Sequence, residues 1–276
     1  MKIIFIGDLV GRAGRDAVTK HLPPLIERTQ ADFVIANGEN AAHGFGITKR
    51  LCDDMYDAGV DCITLGNHAW DQRELLLTID SEPRLVRPTN FTGANLPGRG
   101  HTVLTDKQGR KVLVINAMAR LFTEDCEDPF GAVSAILDRY PLGSAVQATV
   151  LDFHGEATSE KQAMGWHCDG RASMVVGTHT HTPTSDLKIL PEGTSYLTDA
   201  GMTGDYLSVL GMERGPCISR FTTRLPTDRF SPANGDGTLC GLMIETDDAT
   251  GKTLRAAPLR IGPHLIPESL CEEFNA

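Results

Sequence analysis

Asp8, Glu39, Asn40, Asn67, His68, His154, His179 and His181 share one placement: each follows closely on, or stands at the end of, a short β-rich apolar run. The runs close on Gly7-Asp8, Asn37-Gly38-Glu39-Asn40, Gly66-Asn67-His68, Asp152-Phe153-His154-Gly155-Glu156 and Gly177-Thr178-His179-Thr180-His181. Two carboxylates, two carboxamides and four imidazoles at such ends are a costly concentration of polarity unless something binds them. Singly, each has a bland role: Asp8 as a turn cap, Glu39-Asn40 and Asn67 as turn formers, His154 as a hydrogen-bonded structural histidine. Jointly they make an oxygen and nitrogen donor set without a thiolate, which suits Mn, Fe or Zn at a reactive centre better than a structural zinc site. His179 and His181 are two residues apart, so a straight strand end aims both the same way and lets them reach adjacent ions. Two ions about 3.5–4 Å apart, bridged by a carboxylate, form a clamp for in-line displacement at phosphorus. The chemistry indicated is phosphoryl chemistry.

The elements that must position these groups are legible in the apolar runs. Lys2–Gly7, Asp32–Asn37, Asp61–Leu65, Lys111–Ala117, Ala148–Phe153 and Met174–Gly177 are mostly continuous rather than alternating, which predicts strands covered on both faces. Helical stretches, Arg15–Gln30 and Thr48–Ala58, separate the first three, with Pro23 and Pro24 expected to kink or restart the first. This β-α-β-α-β order implies parallel pairing with right-handed crossovers. Further on, Ser185–Ala200 reads as a hairpin around Pro191-Glu192-Gly193, and Leu239–Glu245 and Lys252–Ile261 as two strands joined by a polar turn. The expectation is an α/β sandwich of two mixed β-sheets flanked by helices. Residues 1–276 are read as one domain, with Gly201–Asp236 a long loop or small insertion near the site. In open α/β sheets, ligands bind beyond the carboxyl ends of the strands, where these polar residues fall.

Composition excludes several function classes. A chain of 276 residues with 41% hydrophobic and 22% charged content can bury a substantial core. A net charge of -10 and 6% aromatic residues argue against a nucleic-acid coat protein, which needs surplus Lys and Arg and stacking platforms. They do not exclude one bound phosphate, because metal ions concentrate positive charge locally. MKIIFIGDLVG has a single Lys and a short apolar run, unlike a signal peptide or membrane span. Seven cysteines (Cys52, Cys62, Cys126, Cys168, Cys217, Cys240, Cys271) without a CxxC pair suit a reducing compartment, so a cytoplasmic location is expected. Gly7, Gly11 and Gly14 have the wrong spacing for a dinucleotide loop, and Asp8 would oppose a pyrophosphate. His21, His43, His101, His167 and His264 lack ligand-like company, although His43, in the AAHGFG loop, is near enough to Glu39 and Asn40 to touch substrate.

The ordered motifs GD, GEN, GNH, DFHGE and GTHTH resemble those of the calcineurin-like metallophosphoesterase superfamily. The variant is most similar to its bacterial YmdB-like branch, described as 2',3'-cyclic nucleotide phosphodiesterases. The similarity runs from MKIIFIGDLVGRAGR through GTHTHTPTSD to YLTDAGMTG, most of the chain. Two positions depart from the broad superfamily in the manner of this branch: Val10 stands where a histidine is usual, and Glu39 where the bridging Asp is usual. The resemblance implies that Asp8, Glu39, Asn40 and His181 hold one metal. Glu39 would bridge to a second, completed by Asn67, His154 and His179. His68 would stay outside the ligand set and act on the leaving oxygen as a general acid or as a stabiliser of the transition state, with Asp71 the neighbour spaced to orient it. The implied reaction is metal-assisted attack of water on a 2',3'-cyclic nucleotide, giving the 3'-nucleotide, with Fe or Mn, or alternatively Zn, as cofactors. The implied partner is a small-molecule cyclic nucleotide, with no membrane and no stable nucleic-acid complex; homo-oligomerisation is left open. Two other readings stay open: a broader phosphodiesterase or phosphomonoesterase, and a metal-bound regulatory or RNA-associated protein with slow turnover.

Overall fold

The computed structural model describes residues 1–123, 126–223 and 229–266; Cys271 and residues 224–228 of the 201–236 segment lie outside them. In chain order the elements are β1 (Lys2–Ile6), α1 (Gly11–Thr29), β2 (Phe33–Asn37), α2 (Lys49–Asp57), β3 (Cys62–Thr64), α3 (Leu75–Thr78), β4 (Leu85–Val86), β5 (His101–Thr105), β6 (Lys111–Met118), α4 (Pro129–Arg139), β7 (Ala148–His154), α5 (Thr158–His167), β8 (Met174–Thr178), β9 (Lys188–Ile189), β10 (Ser195–Leu197), α6 (Arg214–Thr222), β11 (Leu239–Thr246) and β12 (Thr253–Ile261). They form two six-stranded sheets. The first has the order β12-β11-β1-β2-β3-β4, parallel from β1 to β4 and antiparallel where β11 joins β1 and β12. The second has the order β5-β6-β7-β8-β10-β9, parallel from β6 through β10 with an antiparallel strand at each edge.

Continuous apolar runs are explained by the layers on either side of each strand. In β1, Ile3 and Phe5 pack between the sheets while Ile4 and Ile6 pack under the helices on the outer face. β7 repeats the arrangement, with Ala148 and Val150 between the sheets and Leu151 and Phe153 turned outward. Period-2 alternation thus sends every second side chain into a different core. The helices outside obey local rules: Thr48 caps α2 by accepting from the Leu51 N–H, and Asp128 caps α4 with Pro129 in its first turn.

The observed elements differ in detail from those expected. α1 runs unbroken from Gly11 to Thr29, starting earlier than the Arg15 expected, and it contains Pro23 and Pro24. Both prolines are exposed, as are Thr19 and Lys20, whose carbonyls lose their helical donors. The 201–236 segment, read as a long loop or small insertion, carries α6. β4, β5, α4 and α5 were not anticipated as elements. The hairpin over 185–200 is present in short form as β9 and β10.

Phe5 is fully buried between the sheets. Replacing it by Ala is expected to cost about 3–5 kcal/mol, measured as a lower urea midpoint at unchanged slope.

Candidate metal centre

Parallel strands of both sheets present their carboxyl ends to one place. From the first sheet come Asp8 after β1, Glu39 and Asn40 after β2, and Asn67 and His68 after β3; from the second come His154, the last residue of β7, and His179 and His181 after β8. Oxygen-bearing side chains therefore arrive from one sheet and ring nitrogens, His68 apart, from the other. His154 Nε2 lies 3.0 Å from Glu39 Oε1, 3.0 Å from Asn67 Oδ1 and 3.2 Å from His179 Nδ1. Among the described residues, Glu39, His154 and His179 form the cluster whose potential ligand atoms all lie within 4.8 Å of one another. On its flank, Asn40 Nδ2 is 3.1 Å from Glu39 Oε1 and 3.2 Å from His181 Nε2. Asp8 accepts the His179 backbone N–H through Oδ2, while its buried Oδ1 has no hydrogen-bond partner among the described residues.

These residues fit metal ions. A buried carboxylate oxygen without a donor costs free energy that a cation would recover. Gly66 keeps the cradle open, since a Cβ there would stand 2.3 Å from His154 Nε2 and 2.4 Å from Glu39 Oε2. Two histidines are braced through the nitrogen that faces away from their neighbours in the cradle, His154 Nδ1 by Thr178 Oγ1 at 2.8 Å and His181 Nδ1 by the Leu210 carbonyl at 2.9 Å, while Glu156 stands 3.4 Å from His179 Nε2. Such outer contacts fix the tautomer and leave the other nitrogen's lone pair for a ligand. Ligation by Asn40 through its oxygen requires only that the amide be turned over.

The electrostatics agree. Burial pushes the Asp8 carboxyl up to about 6 and the His179 imidazole down to about 3, so both resist charge in the absence of a cation. For Glu39 and His154, burial is outweighed by their mutual attraction, which holds the carboxyl low and the imidazolium high.

Beneath the cradle lies a network that sequence reasoning missed. Asp152 is fully buried and accepts from Asn37 Nδ2 (2.9 Å), Thr64 Oγ1 (2.5 Å) and Thr178 Oγ1 (2.6 Å). Asn37 in turn accepts the Glu39 N–H through Oδ1. A charged residue inside an otherwise apolar strand run was the available signal. A second buried group, Lys161 of α5, donates to the Thr178 carbonyl (2.7 Å) and to Asp199 Oδ2 (2.8 Å), and Asp199 also accepts the Thr180 N–H. Nothing in local spacing linked Lys161 to Asp199.

The expectation that His179 and His181 extend a straight strand is corrected. β8 ends at Thr178, and both histidines have positive φ, 98° and 62°. Their backbone turns because the His179 and Thr180 N–H groups are drawn to Asp8 and Asp199 rather than to a neighbouring strand. His68 stands at the edge of the cluster. Its backbone N–H donates to Glu39 Oε2, its Nδ1 is 2.8 Å from Asp71 Oδ2, and Phe45 meets its ring edge-on at 5.1 Å. Nε2 has no partner among the described residues. A cleft of about 290 Å³ opens over the cradle, lined in part by Glu39, Asn40, His68, His179 and His181. His43, in the neighbouring loop, lines a different hollow with Arg15 and Arg50.

The profile of the YmdB-like protein family matches residues 4–259. The chain is 47% identical over 258 residues to the 2',3'-cyclic-nucleotide 2'-phosphodiesterase of Bacillus subtilis (strain 168), covering 92% of this chain and 95% of that one. Among solved structures, a phosphatase from Mycoplasma pneumoniae superposes with a TM-score of 0.88 at 33% identity, covering 95% of this chain and 93% of that one. A hypothetical protein from Thermus thermophilus superposes with a TM-score of 0.87 at 39% identity, covering 95% of this chain and 99% of that one.

Lys161→Met keeps the length of the buried side chain but leaves Asp199 without its cation. The expected cost is about 3–5 kcal/mol, read from chemical denaturation; a loss under about 1 kcal/mol would mean that Asp199 is adequately held by its backbone donors alone.

Proposed function

The chain belongs to the YmdB-like protein family, and we propose that it is a binuclear metal-dependent phosphodiesterase that hydrolyses 2',3'-cyclic nucleotides to 3'-nucleotides. The observation that carries this reading is the meeting of Glu39, His154 and His179 beside a histidine, His68, that is braced by Asp71 and free at Nε2. The name of the Bacillus subtilis relative supports the substrate. Asp8, Glu39, Asn40 and His181 would hold one ion, and Glu39, Asn67, His154 and His179 the other. When bound, two Fe or Mn ions, or Zn, supply Lewis-acid charge at the phosphate oxygens and acidify water.

The protein's own groups do the rest. Hydrolysis adds one water across the P–O2' bond: the water oxygen bonds to phosphorus, the 2' oxygen leaves with the bonding pair, and a proton must reach it. His68 is the group suited to deliver that proton from Nε2, because Asp71 engages Nδ1 and the ring lines the cleft. Asp71 is a positioning residue. The backbone hydrogen bond from His68 to Glu39 ties the acid to the cradle. A binding-only protein has no use for a braced acid at this place, which favours turnover over a regulatory role.

The core shared by both sheets supports reading the chain as one domain. Among the described residues no helix is long and apolar enough to cross a membrane. Cys52, Cys62, Cys168 and Cys217 are buried free thiols, which supports a reducing, cytoplasmic setting.

Hydrolysis of 2',3'-cyclic AMP by protein of measured metal content tests the assignment. Wild type should yield 3'-AMP. His68→Ala should keep its metals and lose about 10²–10⁴-fold in kcat, whereas Glu39→Gln should lose metal and activity together. Equal metal loss in both variants would overturn the division of roles. Thr178→Val, which releases His154 Nδ1, is expected to weaken metal binding about 10–100-fold, followed by titration against a competing chelator.

A further inference from the structure

The cleft over the cradle has a second face. Beyond the proposed ligands, His68, Thr180 and Glu156, its lining consists of Phe45, Leu210 and Met212. The loop bearing Phe45 meets the segment bearing Met212, since a Cβ on Gly44 would stand 2.9 Å from Met212 Cε. Leu210 also lines an adjoining hollow of about 390 Å³, and His181 belongs to both. Leu210 thus forms a lip between two open spaces.

Its backbone makes the choice of leucine unexpected. Val209 and Met212 exchange backbone hydrogen bonds of 2.9 and 3.0 Å around Leu210 and Gly211. Both central residues have positive φ, 52° and 87°, the pattern of a type I' turn. Asn or Gly favours the first central position; a leucine there is strained by its own Cβ. The Leu210 carbonyl braces His181, but any residue would supply a carbonyl. Nor does burial account for the side chain, which is 52% exposed. A strained, exposed apolar residue at the mouth of a polar site is explained by contact with something that enters the cleft.

We propose that Leu210 and Met212, with Phe45, form the face that receives the nucleobase of the substrate, holding it by apolar and stacking contact without reading its hydrogen-bonding edge. This deepens the phosphodiesterase reading and rests on it. Such a face tolerates all four bases, because discrimination between bases requires buried donors and acceptors matched to their edges.

The test compares wild type with Leu210→Gly and Leu210→Asn, both favoured by the turn and so expected to melt no lower than wild type. Each is assayed on 2',3'-cyclic AMP and on the base-free methyl riboside 2',3'-cyclic phosphate. In both variants the ratio of kcat/KM for the nucleotide to that for the base-free diester should fall about tenfold. An unchanged ratio overturns the proposal. Wild-type kcat/KM across the adenine, guanine, cytosine and uracil nucleotides should span no more than about tenfold; a spread of thousands overturns the claim of contact without edge reading. If wild type with full metal occupancy hydrolyses neither diester, the phosphodiesterase reading fails. The base face is then judged by equilibrium titration with 2',3'-cyclic AMP: about tenfold weaker binding in the variants upholds it, and equal affinity overturns it.

Discussion

One buried carboxylate, Asp152, ties the two sheets together under the candidate centre. It accepts from Asn37 and Thr64 of the first sheet and Thr178 of the second. Burial pushes its pKa up, and those three donors oppose the shift. Each of the flanking contacts continues upward: Asn37 takes the Glu39 N–H, and Thr178 meets His154 Nδ1. Glu39 and His154 approach within 3.0 Å because they stand on opposite arms of one hydrogen-bonded frame. Strand ends that merely converged would leave that distance to chance; a shared acceptor at full burial sets it.

Much of this was legible in the sequence. Six strands, the parallel order of the first three and the placement of seven proposed ligands and His68 at strand ends follow from apolar runs that stop at Gly and polar residues. Such runs are readable because both faces of the strands are buried, so an interruption is conspicuous. β4 is too short to leave a pattern, and β5, at an edge, has only one well-buried position. α4 was missed although Asp128-Pro129 marks its start, because Gly131 and its brevity weaken the helical period.

The second layer of the site was harder to read for a different reason. Lys161 and Asp199 lie 38 residues apart, and Leu210 reaches His181 across 29 through a carbonyl that carries no side-chain signature. A sequence shows which residue types are present but not which backbone oxygen faces which ring. The left-handed turns at His179 and His181 were hidden likewise. Extended geometry was the natural default after β8, and it gave way to tertiary donors and acceptors supplied by Asp8 and Asp199.

The division of donor types between the sheets has a kinetic side. Asp8 meets the His179 N–H across 171 residues, and Asn40 meets His181 across 141. These contacts close very long loops, which makes them slow to find and late to reward the chain entropy spent on them. Neither sheet alone offers both oxygen and nitrogen donors in the right places, so an ion that needs both distinguishes the docked pair from either half. By mass action, an ion bound there would stabilise the chain with both sheets in place over any form in which they are apart.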